Sequence, residues 1–152
     1  MTMEFQNWKI EVDKNQYAWL GLDCKASSTN TINQTVLDEL NIALQNIAHD
    51  ETLKGLVIYS LKSSGFIAGA DIHTFSQFKE PEQIRDFLSK GLSVFNRLEK
   101  LTIPTVAMID GFCMGGGLEL ALACRYRIAT QQPKTRIGLP EVMLGFNPGW
   151  GG

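Results

Sequence analysis

Apolar residues along this chain recur with two repeats, one of two residues and one of three to four, and the switches between them divide it into strands and helices. Trp8 to Asp13 and Tyr17 to Leu22 are short β-rich segments separated by Lys14-Asn15-Gln16, which predicts two antiparallel strands joined by a hairpin turn. After the polar loop from Lys25 to Thr31, Val36, Leu37, Leu40, Ala43, Leu44 and Ile47 follow helical spacing, with Asn33 placed to cap the helix. Leu56-Val57-Ile58-Tyr59 is a compact apolar run of the kind found in strands buried on both faces.

Lys62-Ser63-Ser64-Gly65 then predicts a turn. In Phe66 to Ile72 the small residues Ala68, Gly69 and Ala70 leave the backbone open to close approach, and Asp71 can cap a short helix; a structural turn explains the segment equally well. Pro81 opens an amphipathic helix carrying Ile84, Phe87, Leu88, Phe95 and Leu98 on its apolar side. Thr105 to Ile109 reads as a strand that runs directly into Gly111-Phe112-Cys113-Met114-Gly115-Gly116-Gly117 and an apolar helix to Cys124. Arg127 to Thr130 is a further short strand. From Ile137 to Gly152 glycines and two prolines, Pro140 and Pro148, predict tight irregular turns.

Composition narrows the class without naming a chemistry. The 152 residues suit one domain, 1–152, and a hydrophobic share of 44% with a charged share of 20% is that of a folded globular protein. A net charge of −2, with no basic block, argues against nucleic acid as a partner. The segment Met1 to Phe5 has no basic or apolar leader character, and no stretch is apolar enough to insert in a membrane, so a cytoplasmic protein is expected. Cys24, Cys113 and Cys124 form no C-x-x-C pair, and His49 and His73 lie in no metal-binding spacing; neither a metal site nor a Cys/His nucleophile is expected.

Two acids change the picture. Glu119 is the only charge in the glycine-rich stretch and its helix, and Glu141 is the only charge from Ile137 to Gly152. A carboxylate in apolar surroundings is costly unless something compensates it, so Glu119 is either a lone solvated acid on a surface helix or a functional group. Two such acids can hold one water molecule, one accepting a proton while the other donates. The glycine turn adds backbone N–H groups at a helix start, suited to negative charge appearing on a substrate oxygen. Strand, glycine turn and helix is also the order of a dinucleotide fold, but the glycines form neither G-x-G-x-x-G nor a P-loop.

These segments resemble the motifs of the enoyl-CoA hydratase/isomerase, or crotonase, superfamily. The match lies in Phe66-Ile67-Ala68-Gly69-Ala70-Asp71-Ile72, in Gly115-Gly116-Gly117-Leu118-Glu119-Leu120, and in Leu139-Pro140-Glu141-Val142 with Gly145 and Pro148-Gly149-Trp150-Gly151-Gly152. Thr29-Asn30-Thr31 looks like a variant of the family's loop beside the CoA moiety. Pro133-Lys134-Thr135 ahead of Gly138 is similar to the hydratase portion of multifunctional fatty-acid β-oxidation α subunits.

The resemblance implies an α/β fold, the N-terminal core portion of a crotonase-like ββα spiral, with further helices beyond Gly152 completing the pocket and the subunit contacts. It implies catalytic roles for Glu119 and Glu141, an oxyanion hole from the N–H groups of Ala70 and Gly116, and substrate contacts from Ala68, Gly69, Ala70, Asp71, Ile72, Gly115, Gly116 and Pro140. The implied activity is hydration of trans-2-enoyl-CoA to 3-hydroxyacyl-CoA in fatty-acid β-oxidation, with enoyl-CoA isomerisation as a side activity. The competing reading is a non-catalytic acyl-CoA-binding or assembly module of the same fold, which would have no need of two isolated acids. No metal or cofactor is implied in this chain, coenzyme A being part of the substrate; NAD enters only if a dehydrogenase domain follows in the parent protein. The implied partners are further copies of the chain in a homo-oligomer and a thiolase in the parent complex.

Overall fold

After its opening hairpin the chain lays its strands alternately into two sheets. A computed structural model describes residues 5–25 and 27–152; the leader reading at Met1 to Glu4, and Ala26 in the polar loop, fall outside them. The expected hairpin is β1 (Trp8–Val12) paired antiparallel with β2 (Tyr17–Leu22). The Asp13 carboxylate closes its turn by accepting from the N–H groups of Asn15 and Tyr17 at 2.8 and 3.0 Å. Helix α1 (Gln34–His49) starts at Asn33, whose side chain accepts from the Val36 N–H at 2.9 Å, as expected of that cap.

From there the same unit repeats. A strand joins the first sheet, the next strand crosses to the second, and helical structure brings the chain back. Strands β3 (Gly55–Ser60) and β4 (Gly65–Ile67) are followed by α2 (Ile72–Gln77) and α3 (Pro81–Glu99). Strands β5 (Thr105–Ile109) and β6 (Phe112–Met114) are followed by α4 (Gly116–Ala123). Strands β7 (Tyr126–Ala129) and β8 (Arg136–Gly138) are followed by a 3₁₀ segment at Pro140–Leu144. The first sheet runs β1-β2-β3-β5-β7 and the second β4-β6-β8, with every pairing after the hairpin parallel. This is the ββα spiral. Parallel neighbours require crossover connections, and the helices supply them.

Helix α3 begins with a reciprocal cap in which the Glu80 and Gln83 side chains each take the other's backbone N–H, with Pro81 at the first position. Its buried stripe, Phe87, Val94, Phe95 and Leu98, joins that of α1 (Val36, Leu37, Leu40, Leu44) in a core shared with Leu20, Leu22, Leu56 and Ile58.

Four sequence expectations are corrected. The strand entering the glycine-rich stretch does not pass straight into a helix: Phe112–Met114 forms β6 in the second sheet, because Gly111, at φ 78°, turns the chain between the sheets. The turn expected at Lys62 to Gly65 gives way at its last residue to β4. The irregular region from Ile137 overlaps β8 and then the 3₁₀ segment. The run Leu56 to Tyr59 is not buried on both faces; Leu56 and Ile58 face the core, while Val57 and Tyr59 are half-buried on the other side.

Candidate active site

The two sheets and α4 meet at residues 68–71 and 115–119, and the backbone there is ordered by hydrogen bonds from neighbouring segments. Ile32 pairs with Ala70 as an isolated parallel bridge: its N–H donates to Gly69 O at 2.8 Å and its carbonyl accepts from Asp71 N–H at 2.9 Å. A parallel bridge of this pattern uses the groups on either side of Ala70, so the N–H of Ala70 points away from Ile32. Among the described residues it has no acceptor. Gly69 reaches this conformation at φ 116°, and a Cβ there would lie 3.3 Å from Met114 O and 3.7 Å from Gly116 N. The segment carrying Ala70 therefore runs against the start of α4.

Gly115 forms that start. At φ 52° and ψ −127° it adopts a conformation that strains any residue with a side chain, and its N–H is held by Gly138 O at 3.0 Å. Its carbonyl accepts from Leu118 and Glu119 N–H, so the helix is underway by Gly116, whose own N–H meets no acceptor among the described residues. A Cβ on Gly116 would stand 3.5 Å from Ala70 N. Two unpaired N–H donors, one on a strand-like segment and one at a helix N-terminus, thus lie side by side. That arrangement suits an oxygen acquiring negative charge.

Glu119 lies one turn into α4 and is 4% exposed, which rules out the lone solvated acid. Its Oε1 accepts from the N–H of Trp150 at 2.6 Å and of Gly152 at 3.0 Å. Burial raises the pKa of this carboxyl, the two N–H donors work against that rise, and the charge of Glu141 adds to it. Glu141, half-buried in the 3₁₀ segment, reaches the same place from the other side. A Cβ on Gly115 would lie 2.8 Å from Glu141 Oε1 and 3.7 Å from the Gly69 Cα. Its Oε2 is buried with no hydrogen-bond partner among the described residues, an acceptor that a water molecule or substrate group would satisfy.

The remaining expected residues divide. Ala68 is exposed and Gly69 buried on the segment carrying Ala70. Asp71 Oδ1 accepts from His73 N–H at 2.9 Å, so its carboxylate caps α2, while Ile72, 70% exposed, begins that helix. Pro140 is exposed at the first position of the 3₁₀ segment, where it starts the turn that carries Glu141. Lys134 and Thr135 act on the scaffold. Lys134 pairs with Asp110 at 2.7 Å, holding that carboxyl below its ordinary pKa, and Thr135 Oγ1 accepts from Gly111 N–H at 3.2 Å, which fixes the β5–β6 corner. The thiols of Cys113 and Cys124 are pushed up to about 12 by burial, and His49 and His73 lie exposed on α1 and α2.

Sequence reasoning gave Trp150 no role of its own. Its indole is wedged between α3 and α4, where a Cβ on Gly91 or Gly116 would overlap it, and it meets the rings of Phe87 and Phe95 edge-on at 5.4 Å each. The packing of this ring fixes the backbone N–H that holds Glu119. A large apolar residue between glycines in Pro148 to Gly152 was the available signal.

Comparison with known proteins bears on the family and the fold. The pattern of the family described as enoyl-CoA hydratase/isomerase matches residues 24–152. The fatty acid oxidation complex subunit alpha of Vibrio cholerae is 41% identical over 146 residues, 95% of this chain and 21% of that protein. Its counterpart in Shewanella frigidimarina is 44% identical over 135 residues, 89% of this chain and 19% of that one. The chain thus spans about a fifth of the length of these relatives. Among solved structures, the enoyl-CoA hydratase of Bacillus anthracis superposes with a TM-score of 0.87 at 28% identity, covering 95% of this chain and 54% of that one. That of Thermoplasma volcanium gives 0.82 at 32% identity, covering 93% and 54%. With its spiral, its glycine-started helix and its three motifs in place, the chain belongs to the enoyl-CoA hydratase/isomerase family.

Proposed function

We propose that this chain carries the hydration site for trans-2-enoyl-CoA thioesters, forming 3-hydroxyacyl-CoA in fatty-acid β-oxidation. The observation that carries the reading is the unpaired N–H pair of Ala70 and Gly116 with Glu119 and Glu141 beside it. The thioester oxygen sits between the two donors, which draw electron density from the conjugated double bond. Water held by the two carboxyls attacks Cβ; one carboxyl takes its proton, negative charge collects on the thioester oxygen, and the other carboxyl delivers a proton to Cα as that charge collapses. The pair ends with as many protons as it began with, so no redox group or metal is required for the step. On a 3-enoyl-CoA the same groups can instead remove a proton from Cα, leaving a dienolate held by the two N–H donors, and return a proton at Cγ to give the 2-enoyl isomer with no water added, which we assign as the minor activity.

The relatives named as subunits of a fatty acid oxidation complex support a place beside the enzymes that oxidise the 3-hydroxyacyl product and cleave it: an NAD-dependent dehydrogenase and a thiolase. A homo-oligomer of the chain is part of the same proposal. The test is loss of the enone absorbance of crotonyl-CoA on adding the protein, followed with wild type and with Glu119→Gln and Glu141→Gln. Hydration by wild type and a ~10²–10⁴-fold lower kcat in each variant is expected, the usual range for a lost proton-transfer group. Binding of crotonyl-CoA with no loss of enone absorbance in wild type would leave an acyl-CoA-binding module in its place.

A further inference from the structure

Asn30 lies in the loop that resembles the family's CoA-side segment, yet none of its side chain faces outward: it is 0% exposed and all its polar atoms are used inside the protein. Its Oδ1 accepts from Cys24 N–H at 3.0 Å. Its Nδ2 donates to Leu22 O at 2.9 Å and Ser60 Oγ at 3.0 Å, with a longer contact to Phe66 O at 3.3 Å. The amide cannot be reversed, because Cys24 offers a donor at one end while Leu22 and Phe66 offer only carbonyl oxygens at the other. Ser60 Oγ is left to accept, since its own proton goes to Lys62 O at 3.2 Å. One side chain thus ties together the ends of β2 and β3 and the middle of β4.

The backbone of the same residue leads to the oxyanion donors. Asn30 O accepts from Ala68 N–H at 2.9 Å, and two residues on Ile32 brackets Ala70 through Gly69 O and Asp71 N–H. Residues 30–32 are therefore the rail along which residues 68–71 lie, and the direction of the Ala70 N–H follows from where the rail is fixed. We infer that Asn30 is a positioning residue for the oxyanion hole, acting through this rail to aim the Ala70 N–H beside that of Gly116. It touches neither substrate nor the reacting atoms. The inference rests on the proposed hydration site, and its test separates the two.

The probe is 4-(dimethylamino)cinnamoyl-CoA, whose absorption moves to longer wavelength when donors pull on its thioester oxygen. Wild type is expected to bind it with a red shift; binding without a shift would remove the oxyanion reading itself, whatever Asn30 does. Asn30→Ala loses every side-chain bond. Asn30→Asp keeps the size and the acceptor for Cys24 N–H but turns the donor end into an acceptor facing two carbonyls. With folding checked by near-UV circular dichroism, each is expected to bind the probe with most of the shift lost. On crotonyl-CoA, kcat should fall ~10-fold or more while KM stays within ~3-fold, since misaiming a donor forfeits part of the ~10²–10³ that losing one costs. A folded variant with the full wild-type shift overturns the assignment. Failure of both variants to fold would make Asn30 a folding residue and overturn it equally.

Discussion

The backbone N–H of Trp150 donates to Oε1 of Glu119 across 2.6 Å, tying the glycine-rich end of the chain to the one buried acid of α4. The bond does more than hold a side chain in place. It favours the ionised carboxyl, against burial and against the charge of Glu141, both of which favour the neutral one.

A pH signature follows from that balance. Because the folded state raises the Glu119 pKa above its unfolded value of about 4.3, this group's contribution to stability is complete below that pH and is lost as pH rises through the folded pKa. Gln at this position stays neutral throughout. Urea unfolding of wild type and Glu119→Gln between pH 4 and 7 should show the variant gaining on wild type as pH rises; a constant difference would mean that the carboxyl is not perturbed.

Gly116 and Trp150 should be coupled. Gly116→Ala drives a Cβ into the indole, and overpacking of this kind costs about 1–3 kcal/mol. Trp150→Ala removes the aromatic contacts with Phe87 and Phe95, for about 3–5 kcal/mol, but vacates the space the new methyl needs. The double variant should therefore be more stable than the sum of the singles by about 0.5–3 kcal/mol, and strict additivity in denaturant unfolding would count against the wedge.

Gly115→Ala should separate activity from folding. The Cβ meets Glu141 Oε1 at 2.8 Å, at the flexible end of a half-exposed side chain, in a backbone conformation that costs an alanine about 1–3 kcal/mol. The protein is expected to fold with reduced stability and to hydrate crotonyl-CoA at least ~10-fold more slowly as Glu141 is displaced. Wild-type turnover in a folded variant would place Glu141 outside the working site.

The 3₁₀ segment and its flank predict self-association. Val142, Met143, Leu144 and Phe146 are 79, 84, 60 and 64% exposed, a run of apolar side chains that soluble monomers seldom leave uncovered; Trp150, in the same stretch of sequence, is buried. Light scattering behind size exclusion should show concentration-dependent association that Met143→Lys and Phe146→Lys reduce. A monodisperse wild-type monomer at all concentrations would refute it.

Much of the architecture was legible in local pattern. The hairpin, the Asn33 cap, the Pro81 start of α3 and the apolar faces of α1 and α3 depend on neighbours a few residues apart, and there spacing and capping chemistry decide the outcome. The isolation of Glu119 and Glu141 among apolar residues marked both acids, and the resemblance of the glycine motifs to a family's directed attention to Ala70 and Gly116. Tertiary structure decided the rest. Strands of three residues such as β4 and β6 carry too short a repeat to announce themselves and exist because a partner strand lies alongside. That the Ala70 N–H is unpaired depends on Ile32, nearly forty positions earlier, occupying the groups on either side of it. The hold on Glu119 comes from Trp150 and Gly152, about thirty positions later, and the role of Asn30 from carbonyls on β2 and β4 and a hydroxyl on β3. Such relationships are hydrogen bonds between distant segments, and periodicity carries no record of which donor will face which acceptor once the spiral has closed.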